Sequence, residues 1–71
     1  MTLSEQVSQN LKRARVRRKL SQSALAEKAG LAVSYVSMLE RGKRSPPLDT
    51  LAALAGALGV APAKLLGGST P

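Results

Sequence analysis

The chain contains neither cysteine nor histidine, and its acidic residues are Glu5, Glu27, Glu40 and Asp49 alone. Without cysteine it builds no disulfide framework and no thiolate metal site, which fits a reducing compartment. Without histidine, and with four scattered carboxylates, the usual general bases, metal ligands and proton relays are missing. An enzyme is therefore not the expected class, and neither a metal nor a cofactor is expected. The longest apolar run is too short to span a bilayer, and the opening MTLSEQ lacks the basic and apolar regions of a secretion signal. The expectation is a soluble cytoplasmic protein, bacterial or phage, with no membrane partner and no small-molecule ligand. Strand-like alternation, internal repeats and low-complexity tracts are also missing. Seventy-one residues make one small domain, near the lower limit at which a single apolar core holds a fold unaided.

Positive charge is what the chain has in excess. Eleven lysines and arginines against four acids leave a net charge of +7. Six of the eleven, Lys12, Arg13, Arg15, Arg17, Arg18 and Lys19, fall within residues 12–19, and Arg41, Lys43 and Arg44 form a second cluster. Such an imbalance attracts phosphate polyanions and does nothing to specify a fold. On charge alone, a solvated basic helix face is the alternative.

Helical spacing runs through the sequence. Thr2 and Ser4 are both N-cap candidates, and Thr2 with Glu5 three residues on matches a capping box. Leu3, Val7, Leu11 and Ala14 recur at helical spacing, predicting a first helix over roughly residues 3–18 with one narrow apolar stripe. Arg15 borders that stripe closely enough to reach inward. Ser21 can cap a second helix whose inner face is Leu25, Ala26 and Ala29, ended by Gly30 in the left-handed conformation. Leu31 and Ala32 turn into a third helix that runs to about Arg41 and is ended by Gly42. Val36 and Leu39 point inward with Leu31, Tyr35 is half covered, and Val33, Ser34, Ser37 and Met38 are left on the outer face. Residues 43–47 form a loop, since Pro46 and Pro47 forbid helix continuation and pre-set the next start. Leu48, Leu51, Leu54, Ala55 and Leu58 define a fourth helix ending at Gly59, with Val60 buried in the link. Ala61 and Pro62 open a short fifth helix carrying Leu65 and Leu66. The expected architecture is all-α: one five-helix domain over residues 1–66, then a flexible tail or linker over residues 67–71.

From residue 11 to residue 66, about four fifths of the chain, the sequence resembles the phage-repressor and Cro type of helix-turn-helix domain, the XRE family. The resembling features are Arg15, the pair Ser21-Gln22, Leu25-Ala26, Gly30, the run Ser34-Tyr35-Val36-Ser37, then Leu39-Glu40-Arg41-Gly42-Lys43, Leu48-Asp49-Thr50-Leu51 and Ala57-Leu58-Gly59-Val60. The joint spacing of Gln22, Gly30, Glu40 and Gly42 makes the match specific. The resemblance implies a lambda-repressor-like fold in which helices 2 and 3 form the helix-turn-helix and helix 3 enters the major groove of double-stranded DNA. Val33, Ser34, Ser37 and Met38 are then the candidates for base contact; otherwise they are an ordinary exposed face. Gln22 takes the family's phosphate-contact role, while Ser21 is more simply a cap. Arg41, Lys43 and Arg44 flank the groove as phosphate contacts. Arg17, Arg18 and Lys19 lie at the end of the first helix nearest the second and join them, whereas Lys12 and Arg13 are solvated. The family pattern also pairs Arg15 with Glu40 in a structural ion pair.

Some positions depart from that pattern. Ala32 stands where serine or threonine commonly caps the recognition helix, Ser23 and Ala24 replace frequent acids, Pro47 replaces a capping serine, and Lys19 fills a position often held by glycine. The outer face of helix 3 also offers no Arg, Asn or Gln for a bidentate base contact, so specificity per half-site is expected to be modest. One recognition helix reads about 4 or 5 base pairs, which points to a homodimer on two-fold operators with half-sites ~34 Å apart. Val60, Leu65 and Leu66 are either the pairing surface or plain packing of the fifth helix. Three functions follow from these observations: a sequence-specific transcriptional regulator of repressor or restriction-modification controller type, an antitoxin-like autoregulatory protein that also binds a toxin, or a nonspecific nucleic-acid coat.

Overall fold

A computed structural model describes residues 2–67 of the chain. Its five helices are α1 (Leu3–Arg17), α2 (Gln22–Ala29), α3 (Val33–Glu40), α4 (Leu48–Leu58) and α5 (Pro62–Leu66). No strand occurs among the described residues. The all-α, five-helix expectation holds.

Local chemistry sets most of the helix ends. Thr2 Oγ1 accepts from the Glu5 amide at 3.1 Å and Glu5 Oε1 accepts from the Thr2 amide at 2.8 Å, closing the capping box that opens α1. Ser21 Oγ accepts from the Ala24 amide at 2.9 Å and opens α2. At α3 the N-cap is Ala32, which has no side-chain bond to give, so that end depends on packing. Pro47 precedes α4 and Pro62 is the first residue of α5, where a missing amide hydrogen costs nothing.

One core joins the five helices. Val7 and Leu11 of α1, Leu25 and Ala26 of α2, Val36 and Leu39 of α3, Leu51, Leu54, Ala55 and Leu58 of α4 and Leu65 of α5 are all buried together. Helix α2 packs between α3 and α4, while α1 packs on α5 and α3. Ala14, Leu20, Ala29, Leu31, Tyr35, Ala57 and Val60 close the edges. The last carbonyls near α5 are taken up by α1: Asn10 Nδ2 donates to the carbonyls of Leu65 at 2.9 Å and Gly67 at 2.8 Å, and Gln6 Nε2 donates to Gly67 at 2.8 Å. Of the expected tail, residues 68–71 lie outside the described residues.

Two of the apolar residues assigned to inner faces are not covered. Leu3 is 61% exposed and Leu48 is 78% exposed. Each is the first residue of its helix, one turn before the first residue of that helix to be buried, Val7 and Leu51. Leu48 also lies about 60° around the helix from Leu51. Periodicity assigns a side but not the length over which a partner helix runs beside it. Leu65, offered as a pairing residue, is 1% exposed and belongs to the domain's own core. Being three residues on from Pro62, it meets α1 and α4 as the last layer of the core.

The Glu5 carboxyl is held below the ordinary glutamate range by the bond from the Thr2 amide and then by the Thr2 side chain. A folded-state value below the unfolded one contributes stability that is present above the ordinary glutamate range and lost as pH falls through the folded value. Glu5→Gln keeps an acceptor oxygen but no titrating group, so its melting temperature is expected to fall less on acidification over that window than that of the parent chain. Identical acid profiles for the two proteins would remove the capping box from the acid response.

Candidate nucleic-acid interface

The second and third helices meet at Gly30, which adopts φ +72° and lets the Leu31 amide bond the Ala26 carbonyl at 2.8 Å. That turn sets Val36 and Leu39 into the core and leaves the opposite side of α3 partly uncovered. Val33 and Ser34 are exposed there, and Ser37 and Met38 are half-buried. Spaced i, i+1, i+4 and i+5, the four residues occupy one face of two helical turns. Arg41, Lys43 and Arg44 follow directly and are all exposed. Gly42, at φ +72°, ends α3, and a Cβ on it would stand 3.5 Å from Ser8 Oγ of α1. The chain therefore leaves α3 close against α1 before the basic loop begins.

A carboxylate holds this unit together. Glu40, the last residue of α3, receives Arg15 Nε at 2.6 Å and Arg15 Nη2 at 3.0 Å, a two-pronged ion pair with the side chains 13% and 3% exposed. The remaining arm of the guanidinium donates to the Leu20 carbonyl at 2.8 Å, so Arg15 also anchors the α1–α2 link. Gln22, the first residue of α2, adds its amide nitrogen to Glu40 Oε1 at 3.0 Å. One carboxyl group thus ties the end of α1, the start of α2 and the end of α3. The resemblance implies a phosphate contact for Gln22; its side chain is engaged with Glu40 through one amide hydrogen, leaving the other hydrogen and the carbonyl oxygen. Nothing in the local pattern signals that bond, because Gln22 and Glu40 are 18 residues apart.

Among the first-helix cations, Arg17 is exposed without a hydrogen-bond partner among the described residues, whereas Arg18 Nη2 donates to the Gly59 carbonyl at 3.3 Å across the start of the α4–α5 link. Lys19 is exposed and has φ 59°, the left-handed region. Every buried side-chain nitrogen or oxygen among the described residues has a partner. No cluster of side chains able to hold a metal ion occurs among them.

A short helix joined to a second one through a glycine turn, with its outer face partly exposed and a basic loop following it, has the arrangement of a helix-turn-helix domain. A family model described as Helix-turn-helix, HTH_3, matches residues 11–65, and the chain belongs to that family. The immunity repressor protein of Bacillus phage phi105 is 47% identical over 64 residues, 90% of this chain and 44% of that protein. The control protein C.SmaI of Serratia marcescens is 39% identical over 66 residues, 93% of this chain and 79% of that protein. Among solved structures, the restriction-modification controller protein C.AhdI from Aeromonas hydrophila matches with a TM-score of 0.85 at 39% identity, over 87% of this chain and 94% of that chain. The chain spans less than half the length of the phage repressor and most of the length of the two controllers.

Removing one partner of a mostly buried ion pair leaves the other charge uncompensated, at a cost of about 3 kcal/mol. Glu40→Ala strands Arg15 and frees Gln22, and its melting temperature is expected to drop by roughly 10–20 °C for a domain of this size. Thermal unfolding followed by circular dichroism measures this; an unchanged melt would mean that the network contributes nothing to holding α3.

Proposed function

We propose that the chain is a sequence-specific DNA-binding transcriptional regulator of the repressor or restriction-modification controller type, acting in the cytoplasm of a bacterium and carrying no catalytic activity. The observation that carries this reading is the partly exposed outer face of α3, braced by Glu40 and followed by the basic residues Arg41, Lys43 and Arg44, in a chain of the helix-turn-helix family. A helix about 10–12 Å across fits the major groove. With α3 in the groove, Val33 and Met38 meet thymine methyl groups and Ser34 and Ser37 hydrogen-bond base edges.

Affinity comes largely from the phosphates. Ser21 satisfies only the Ala24 amide, so the amides of Gln22 and Ser23 are free to bind a phosphate, helped by the positive end of the helix dipole. Gln22 adds its second amide hydrogen there. Arg41, Lys43 and Arg44 grip the backbone on one side of the groove and Arg17 and Arg18 on the other. Each cation that neutralises a phosphate steepens the salt dependence of log K by about 0.9.

Four or five base pairs select no single site in a genome, so two copies bind one two-fold operator. Recognition helices ~34 Å apart lie about 17 Å from the dyad, which fits a domain whose longest extent is 28 Å. Val60, half-buried, and Leu66, 39% exposed, are the apolar groups near α5 available for pairing. That the relatives are a repressor and control proteins favours this reading over an antitoxin-like one.

Selection of bound fragments from a random duplex pool is expected to return a two-fold consensus. No enrichment, with binding that follows charge alone, would overturn the reading in favour of a nonspecific coat. Sedimentation across a range of concentrations, with and without the selected duplex, is expected to show two chains per duplex; one chain per duplex at every concentration would rule out pairing.

A further inference from the structure

The Glu40 carboxylate is paired on both oxygens before its bond to α2 is counted. Arg15 Nε donates to Oε2 at 2.6 Å and Arg15 Nη2 to Oε1 at 3.0 Å, and the third arm of the same guanidinium is fixed on the Leu20 carbonyl at 2.8 Å. A planar guanidinium that grips both oxygens sets the plane of the carboxylate, and the Glu40 side chain, 3% exposed, has no room to turn out of it. Any further group that bonds Glu40 therefore meets a fixed acceptor.

That further group is Gln22 Nε2, 3.0 Å from Oε1. A glutamine amide has a donor end and an acceptor end of nearly equal size, and a side chain loose in water presents either one. A carboxylate only accepts, so Glu40 admits the amide nitrogen and repels the carbonyl oxygen. The polarity and the rotamer of the half-buried Gln22 are thus set within the fold. Satisfying Glu40 does not require this bond, because Arg15 already pairs both of its oxygens. What the bond achieves is a held amide at the first residue of α2, with one N–H still to give. A phosphate also only accepts, and a donor ordered before binding loses less conformational entropy on contact. We infer that Glu40 is a positioning residue for DNA binding that acts through the Gln22 amide, and not only through the placement of α3; the inference rests on the DNA-binding reading above.

The test is a double-mutant cycle on the full chain. The parent, Glu40→Gln, Gln22→Ala and the double variant are titrated with one mixed-sequence duplex, at a temperature where thermal melts show all four folded. Gln22→Ala is expected to weaken binding on the order of tenfold, as for one hydrogen bond to a charged group, with the salt slope unchanged because no cation is lost. Glu40→Gln is expected to weaken it severalfold, although that variant carries one more net positive charge. In the Gln22→Ala background, Glu40→Gln is expected to cost nothing further. Losses that multiply would mean that Glu40 acts only by placing α3, and parent-like binding by either single variant would equally overturn the inference. The Gln22 side-chain amide protons of the parent chain give a second readout that depends on no variant folding. Nuclear magnetic resonance is expected to show one proton protected from exchange, with and without duplex, and the other shifting as duplex is added. Two freely exchanging protons in the unbound chain, or protection lost on binding, would overturn the inference. All these outcomes leave the DNA-binding reading intact, whereas failure of the parent chain to bind any duplex would overturn that reading, and this inference with it.

Discussion

The Glu40 carboxylate is the joint on which the arrangement of the first three helices depends. It ends α3, and it receives a two-pronged guanidinium from α1 and an amide from the first residue of α2. Apolar contacts supply the cohesion of the domain, but they are non-directional, and helices as short as α2 and α3 can slide or rotate over a core built largely of leucine and alanine. A mostly buried ion pair adds little net stability because desolvation offsets attraction; what it adds is a preferred geometry. Here that geometry is the spacing between the start of α2 and the outer face of α3, the two parts that meet the duplex in the function we propose.

Short helices impose a second constraint, because each end leaves unpaired backbone groups that a small domain can hardly bury. A left-handed turn closes the C-terminal ends of α1 to α4, and Asn10 and Gln6 take up the last carbonyls near α5. These turns also place the charge. Arg15 and Arg17 lie in the last turn of α1, and Arg41 caps α3, with Lys43 and Arg44 just beyond. Cations at a helix C-terminus face the negative end of its dipole, so a net charge of +7 is gathered where the fold tolerates it best. The same placement leaves exposed basic groups at the exits of α1 and α3.

Much of this was legible in the sequence for a physical reason: helix caps, glycine stops and apolar periodicity are properties of neighbouring residues. The capping box at Thr2 and Glu5, the stops at Gly30, Gly42 and Gly59, and the burial of Val36 and Leu39 needed no knowledge of the rest of the chain. The spacing of Gln22, Gly30, Glu40 and Gly42 was enough to reach the helix-turn-helix family. Lys19 was visible as a lysine where a glycine is common and as one of the cations at the end of α1, and the structure adds that its backbone is left-handed.

What the sequence by itself determined, then, is the number, order and inner faces of the helices, because each depends on contacts within a few residues. Only the tertiary structure decided how far each face is covered, leaving Leu3 and Leu48 bare at the starts of their helices and taking Leu65 into the core. It also decided the partners of Gln22 and Arg18, whose bonds reach across 18 and 41 residues. Such choices depend on where separate helices stop beside one another, which no local stretch of the sequence encodes.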